Sequence, residues 1–172
     1  NEMLDEVTAE MTGVNTISPT WFSIQSEDGT LSSLADASYV EKAHGKGLEV
    51  WALIDNFNKE VSTLEVLSST PKRAYMIQQL MDSAAACGFD GINVDFESIK
   101  EEEAPHYIQF IRELSIACRR AGLVLSVDNP VPQPYNLYYD RKEQGIVADY
   151  VIIMGYDEHY GGGSEAGSVA SL

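Results

Sequence analysis

The sequence predicts an α/β fold in which about five parallel strands alternate with helices, as in part of a (β/α)8 TIM barrel. Three observations lead to this prediction. Helical patterns that end at a glycine or a polar corner are each followed by a short apolar strand, which is typical of βαβ units. One of these strands is apolar on one face and acidic on the other. No strand leads into the glycine-rich phosphate turn that an open, doubly wound nucleotide-binding sheet would require.

The acidic strand spans residues 89–97 and is the most informative stretch of the chain. Its side chains alternate between two faces. The apolar face holds Ile92, Val94 and Phe96, and the polar face holds Gly91, Asn93, Asp95 and Glu97. Burying carboxylates costs free energy unless they have partners or a function. The interior of a barrel leads to a site at the carboxyl ends of its strands, so we favour the barrel and expect Glu97 at that end.

The other elements follow in chain order. Strands are predicted at residues 14–18, 48–54, 123–127 and 150–156, and a turn at 26–29. Helices are predicted at residues 36–46, 70–87, 101–121 and 139–145. Three of these helices are followed by a glycine, the preferred C-cap residue: Gly47, Gly88 and Gly122. The apolar face of helix 70–87 is expected to comprise Ala74, Ile77, Met81, Ala84 and Ala85, and that of helix 101–121 to include Ile116.

Length and charge exclude several classes of protein. The 172 residues suffice for one domain with a sizeable core. The formal net charge of −16 argues against nucleic acid and anionic membrane surfaces as partners, because both would repel the chain. No apolar run could span a bilayer, and the amino terminus does not resemble a signal peptide. Cys87 and Cys118 lie outside any CxxC motif, so we expect free thiols, with a disulfide left open if their helices are neighbours.

Two motifs carry a family resemblance. The spacing of Asp90, Asn93, Asp95 and Glu97 resembles the DxxDxDxE signature of glycoside hydrolase family 18, the chitinase-like barrels, with Asn93 in place of the middle Asp. Residues 154–157, Met-Gly-Tyr-Asp, resemble that family's second motif, MxYD. The phrases at residues 18–22 and 156–160 resemble the bacterial spore-cortex-lytic N-acetylglucosaminidase branch in particular. The resemblance covers nearly the whole chain.

The resemblance implies a reaction and a role for each motif residue. The substrate would be a glycan of β-1,4-linked N-acetylglucosamine, either chitin or peptidoglycan, and its own acetamide would attack the anomeric carbon. Glu97 would act as general acid and then as base, and Asp95 would orient the acetamide and stabilise its developing charge. Tyr156 would donate a hydrogen bond to the acetamide oxygen, and Asp157 would support the site. Asn93 can bond Asp95 but cannot share a proton with it as an Asp could.

Three further residues are candidates for substrate contacts. Trp21 and Trp51 could stack on sugar rings, although buried tryptophans are commoner. Asp128 shares the inward parity of its strand with Ser126, where the family usually has a small residue. Asp128 therefore either adds a third carboxylate near Glu97 or is turned away by the proline that follows.

The resemblance implies no cofactor, and the residues argue against a metal. Asp90 lies on the opposite face of the strand from Asp95 and Glu97, and no histidine joins them. Asp90 is instead expected to cap the start of the strand. The alternative to an enzyme is a carbohydrate-binding, chitinase-like module without turnover, although such relatives typically lose the acid that Glu97 represents.

The sequence also leads us to expect that the chain is a fragment of a longer protein. Because it begins with Asn1, we expect that it starts inside a longer protein. Laid on the eight strands of the family barrel, residues 1–172 correspond to strands two to six, so the first, seventh and eighth would be absent. Such a fragment could be inactive by itself, and its exposed sheet edges predict self-association. We expect the parent protein to act outside the cell, at the cell wall or spore.

Overall fold

Strands and helices alternate along the chain. A computed structural model describes Leu4 and residues 12–156. The strands are β1 (Thr16–Ile17), β2 (Thr20–Ile24), β3 (Leu31–Ser33), β4 (Glu49–Asp55), β5 (Gly91–Asp95), β6 (Val124–Pro130) and β7 (Tyr150–Met154). The helices between them are α1 (Ala37–Gly45), α2 (Thr63–Leu67), α3 (Thr70–Cys87), α4 (Ala104–Ala121) and α5 (Arg141–Val147), with a 3-10 helix at Pro134–Tyr139.

The strands form one sheet in the order β3-β2-β4-β5-β6-β7, with β1 also beside β4. Strands β2, β4, β5, β6 and β7 are parallel to their neighbours, and only β3 runs antiparallel, beside β2. Parallel strands joined by helices are the architecture expected from the sequence, and the described residues form part of a (β/α)8 barrel that is not closed. The carboxyl ends of β2, β4, β5, β6 and β7 therefore meet at one edge.

The apolar face of β5 lies against the helices, as its alternation predicts. Ile92 and Val94 are fully buried. Phe96 stacks on Phe110 and Tyr107 of α4, with ring centroids 5.6 and 5.7 Å apart. Because this face is held by the helix layer, the opposite face of β5 must line the barrel interior.

The region of the first predicted strand forms two short strands, β1 and β2, and β2 continues into a hairpin with β3. Pro19 separates β1 from β2, and its carbonyl accepts a hydrogen bond of 2.9 Å from the Leu53 amide. The predicted turn at 26–29 is present, because the Gly29 amide donates to the Ser26 carbonyl at 3.1 Å. It leads into β3, which sequence reasoning missed because three residues are too few for a recognisable alternation.

The buried face of α3 differs from the predicted one. Its buried residues are Arg73, Met76, Leu80 and Ala84, of which only Ala84 was predicted. Ile77 and Met81 of the predicted face are partly buried against the core. Arg73 is buried because its guanidinium binds both carboxylate oxygens of Glu113 at 2.9 Å and the Leu67 carbonyl at 2.7 Å. Because these partners lie within the helix layer, Arg73 can be buried there. Hydrophobicity alone assigns the buried position to the neighbouring Ala74. Ile116 on α4 is likewise exposed, contrary to the prediction.

Two smaller observations complete the fold. Cys87 and Cys118 are free thiols, and burial raises the pKa of Cys118 to about 12. Among the residues that the structure describes, no helix has the length and apolar character needed to cross a membrane.

Candidate active site

Three aspartates lie in a row across the inner face of the sheet, at the carboxyl ends of neighbouring strands. Asp55 on β4 pairs in register with Asp95 on β5. Between β5 and β6 the register pairs Val94 with Val127, so Asp95 and Asp128 follow side by side. The position is the one at which parallel α/β folds build their sites. Asp128 therefore points inward, and the proline after it does not turn it away.

Asp95 is the electrostatic centre of this row. Burial raises the pKa of Asp95 to about 6, and the negative charges of Asp128, Glu97 and Asp55 add to the shift in that order. Its Oδ1 is buried and has no hydrogen-bond partner among the described residues. A carboxyl group in this environment binds a proton near neutral pH, as acid–base chemistry requires.

Asn93 and Asp128 are hydrogen-bonded to each other. Asn93 Nδ2 donates to Asp128 Oδ2 at 2.7 Å, and both side chains are buried. Burial raises the pKa of Asp128, and the bond from Asn93 partly opposes that effect. Within the described residues, Asn93 Oδ1 and the buried hydroxyl of Ser126 lack partners. The site thus keeps unpaired polar atoms beside its carboxylates, an arrangement that costs stability and is typical of function.

Glu97 lies two residues beyond the end of β5 and is exposed. Asn56, just after β4, fixes its backbone: Asn56 Oδ1 accepts from the Glu97 amide at 2.9 Å, and Asn56 Nδ2 donates to the Glu97 carbonyl at 3.0 Å. The next residue, Ser98, has φ +54°, a left-handed conformation that is uncommon outside glycine. The backbone of Glu97 is therefore held while its carboxylate faces solvent.

Tyr139 supports the same loop from the other side. Its buried hydroxyl accepts a hydrogen bond of 3.0 Å from the Ile99 amide and donates a longer one, 3.5 Å, to the Phe96 carbonyl. Sequence reasoning assigned no role to Asn56 or Tyr139. Asn56 could have been found as a polar residue directly after a strand at the catalytic edge, whereas no local pattern marks Tyr139.

A groove of about 1050 Å³ opens beside Glu97. Tyr135, Tyr138 and Tyr156 line it, and Tyr135 is 75% exposed. The Tyr156 hydroxyl donates to the sulfur of Met154 at 2.9 Å. With Tyr139, four tyrosines thus line the groove near a carboxylate, a surface suited to the apolar faces of sugars. The second motif ends outside the described residues, because Asp157 is the first residue beyond them.

Trp21 belongs to the core, which corrects the expectation that it binds substrate. It is only 7% exposed and packs edge-on against Tyr39 and Phe89, with ring centroids 5.4 and 6.1 Å apart. A ring enclosed by other aromatic rings has no face free for a sugar.

Trp51 lies on the inner face but at the opposite end of the strands from Glu97. It pairs in register with Gly91, the first residue of β5, and its ring lies 5.1 Å from that of Tyr150 on β7. A Cβ atom at position 91 would stand 2.8 Å from Trp51 Cδ1, so glycine is required for the indole to lie across β5. Trp51 fills the barrel interior beneath the carboxylates.

Asp90 caps the start of β5, as predicted. Its Oδ2 accepts a hydrogen bond of 2.8 Å from the Val50 amide and lies 2.8 Å from His44 Nε2. It is thus one strand length away from Asp95. No three His, Cys, Asp or Glu side chains of the described part are arranged to hold a metal ion.

Comparisons with known proteins agree with these motifs. The uncharacterized glycosylase YvbX of Bacillus subtilis (strain 168) is 28% identical over 179 residues, which cover 97% of this chain and 52% of YvbX. The cortical fragment-lytic enzyme of the same organism is 28% identical over 113 residues, 62% of this chain and 26% of that protein. The crystal structure of the Bacillus cereus spore cortex-lytic enzyme SleL superposes with a TM-score of 0.76 at 25% identity, over 90% of this chain and 38% of SleL.

The chain spans about half the length of YvbX and less of the other two proteins. The sequence model of the glycosyl hydrolases family 18 matches residues 7–172. The resemblance drawn from the two motifs is thereby confirmed, and the chain belongs to glycosyl hydrolase family 18.

Proposed function

We propose that the protein cleaves β-1,4 bonds in glycans that contain N-acetylglucosamine, by substrate-assisted catalysis with retention of configuration. Family membership supports a glycosidase acting on chitin or on peptidoglycan-like glycans. The observation that carries the proposal is the pairing of two carboxyl groups with different environments. Glu97 is exposed beside an open groove, while the neighbouring Asp95 is half-buried with a pKa raised to about 6.

In this proposal Glu97 first donates a proton to the glycosidic oxygen as the bond to the anomeric carbon breaks. The acetamide oxygen of the same sugar attacks that carbon, so no carboxylate need form a covalent bond. Glu97, now ionised, then takes a proton from the water that opens the oxazolinium ring. A backbone fixed on both sides by Asn56 suits this double role, because proton transfer requires a held geometry.

Asp95 and Tyr156 would act on the acetamide. Asp95 would accept the acetamide N–H and stabilise the positive charge that develops there, while Asn93 supports it from the same strand. The Tyr156 hydroxyl would donate to the acetamide oxygen, and Asp157 would assist from the adjoining position. Tyr156 lines the same groove as Glu97, which supports a shared substrate.

Peptidoglycan of the spore cortex is the proposed substrate within this class. Two similar proteins are named for lysis of the cortex or its fragments. The protein would then act outside the cell, at the cell wall or spore. The tyrosine groove would bind the glycan chain, because aromatic rings offer flat apolar faces against which the apolar faces of sugars can pack.

The test compares purified cortex peptidoglycan with chitin oligomers as substrates of the full-length protein. We expect cleavage of peptidoglycan with release of new reducing ends. In Glu97→Gln we expect kcat to fall by about 10²–10⁴-fold with folding unchanged, because an exposed acid is replaced by its neutral isostere. Glu101→Gln, an exposed glutamate in the next turn, is the matched control and should retain full activity.

The groove also favours a second candidate, a carbohydrate-binding module without turnover. In that case glycan binding would be measurable, for example by isothermal titration, while no new reducing ends appear. Full activity in Glu97→Gln would remove Glu97 from the role of acid without excluding another hydrolytic mechanism.

Self-association through β7 is a further part of the proposal. Tyr150, Ile152 and Ile153 on this outer strand are all exposed. Exposed apolar side chains beside unpaired strand amides favour pairing with another chain. Light scattering of the 172-residue chain should therefore show a mass that rises with concentration, and a constant monomer mass would contradict this.

A further inference from the structure

Asp128 is held in the site by one short contact. It lies on the inner face of β6, is 9% exposed, and accepts a hydrogen bond of 2.7 Å from Asn93 Nδ2. An ionised carboxylate can only accept hydrogen bonds, so the Asn93 amide must turn its NH2 group toward Asp128. The contact therefore decides the orientation of Asn93 and leaves the amide oxygen on the other side.

Two acceptor atoms remain unpaired next to this contact. Asn93 Oδ1 and Asp95 Oδ1 are buried without partners among the described residues. Both side chains lie on the inner face of β5, two residues apart. A proton on Asp95 would turn one of these two acceptors into a donor.

The charges around Asp95 favour that proton. The titratable groups near it are Asp55 on β4, Glu97 beyond β5, Asp128 on β6 and the buried phenol of Tyr107 on α4. Asp128 exerts the largest effect of the three carboxylates on Asp95. Without Asp128, position 93 would place a neutral amide where the family signature has an acid, and Asp95 would lose its strongest charged neighbour.

We propose that Asp128 is a positioning residue that compensates, from β6, for the carboxylate missing at position 93: it orients Asn93 and makes Asp95 easier to protonate in the unliganded enzyme. This inference rests on the proposed function, because a proton on Asp95 matters to turnover only if the site cleaves acetamido sugars. Asp128 acts through Asn93 and Asp95 and need not touch the substrate.

The test uses three variants of the full-length protein. Asp128→Asn keeps an acceptor for Asn93 and removes the charge, whereas Asp128→Ala removes both. The double variant N93D/D128N returns the carboxylate to β5. The readouts are the carboxyl carbon resonance of Asp95 through a pH titration, assigned by its loss in Asp95→Asn, and the pH profile of kcat. Asp82→Asn, an exposed aspartate on α3, is the control for a change of net charge.

In Asp128→Asn we expect the Asp95 titration midpoint to move to lower pH, because Asp95 loses its strongest charged neighbour. We expect kcat to fall about 10-fold, with a smaller change in KM, because the positive charge that develops on the acetamide loses a nearby carboxylate. N93D/D128N should recover part of the shift in the Asp95 titration midpoint and part of the lost kcat. Asp128→Ala should recover neither. An Asp95 titration and kcat that are unchanged in Asp128→Asn would overturn the inference. A double variant no better than Asp128→Asn would overturn the compensation between β6 and β5.

The two proposals fail in different ways. If the wild-type protein cleaves no glycan, the proposed function is wrong, yet the titration of Asp95 still reports whether Asp128 governs its proton. If the wild-type protein is active and the Asp128 variants match it in both readouts, only the role of Asp128 is wrong.

Discussion

Asp90 and Asp95 lie at opposite ends of the same strand and have opposite environments. Asp90 accepts a hydrogen bond from the Val50 amide and lies 2.8 Å from the His44 ring. Asp95 has a buried oxygen without a partner among the described residues, and burial together with the neighbouring carboxylates raises its pKa to about 6. Asp90 thus lies beside hydrogen-bond donors, whereas Asp95 lies beside groups that disfavour its ionised form.

The difference separates structural acids from functional ones. A carboxylate with donors around it stabilises the fold, because it replaces the hydrogen bonds that it made to water. A carboxylate held among like charges costs stability, and such a position is retained where the protonation state itself is used. Both residues belong to the family motif, so spacing alone does not distinguish the two roles. The contrast can be tested by variants at each end of β5.

After Glu97→Gln, the largest expected effect at the catalytic end is that of Asn56→Ala. This change removes both hydrogen bonds to the backbone of Glu97, so the acid is no longer held in one geometry. We expect kcat to fall about 10–100-fold, as a displacement of about 1 Å can cost. Steady-state kinetics on the glycan substrate measure it. Asn56→Asp keeps the acceptor for the Glu97 amide and should lose less, and equal losses in both variants would contradict this reason.

At the other end of the strand, Asp90→Ala should reduce stability and leave kcat unchanged. The Val50 amide loses its acceptor, which costs about 1–3 kcal/mol for a buried donor. Urea unfolding of the full-length protein measures the loss. A large fall in kcat at full occupancy of the folded state would place Asp90 in the site and break the contrast.

Asp95→Asn, unlike Asp90→Ala, should increase the stability of the protein near neutral pH. The folded-state pKa of Asp95 is about 6 against an ordinary value of 3.8, so the folded form binds its proton more tightly than the unfolded chain does. Wild-type stability therefore falls as pH rises from about 4 to 6, and this loss persists at higher pH. The neutral amide avoids it.

Allowing for partial solvent exposure, we expect Asp95→Asn to be about 1–2 kcal/mol more stable than wild type at pH 7, with no gain at pH 4. Urea unfolding of both proteins across this pH range tests the prediction. A difference in stability that does not change with pH would show that ionisation of Asp95 is not its cause.

The smallest expected effect is that of His44→Ala. The His44–Asp90 contact is partly exposed, and such pairs contribute about 0–1 kcal/mol. Asp90 keeps the Val50 amide as its partner in this variant. Thermal unfolding should therefore show a smaller change than in Asp90→Ala, and the reverse order would indicate that the ion pair outweighs the backbone hydrogen bond.

Local chemistry made much of this molecule predictable. Glycine ended the long helices because Gly88 and Gly122 adopt left-handed conformations, with φ of +76° and +71°. Alternation in β5 identified its two faces because successive side chains must point in opposite directions. The motif spacing identified Asp95 and Glu97 as candidates, since residues two apart share a face. Each of these features depends only on residues close together in the sequence.

Contacts between distant residues were not predictable. Arg73 is buried because Glu113, forty residues away, supplies its partner. Trp21 is enclosed by aromatic residues from α1 and the start of β5, so it belongs to the core and not to the site. Parity indicated only that Asp128 could face inward, and its bond to Asn93 depends on the register between β5 and β6.

By itself the sequence determined the alternation of strands and helices, the family and the polar face of β5, because these depend on residue spacing along one chain. The tertiary structure decided which carboxylates act on one another. Asp55, Asp95 and Asp128 come from three strands, and only the parallel register brings them side by side. Electrostatic interactions depend on distance through space. The raised pKa of Asp95 is therefore a property of the assembled sheet.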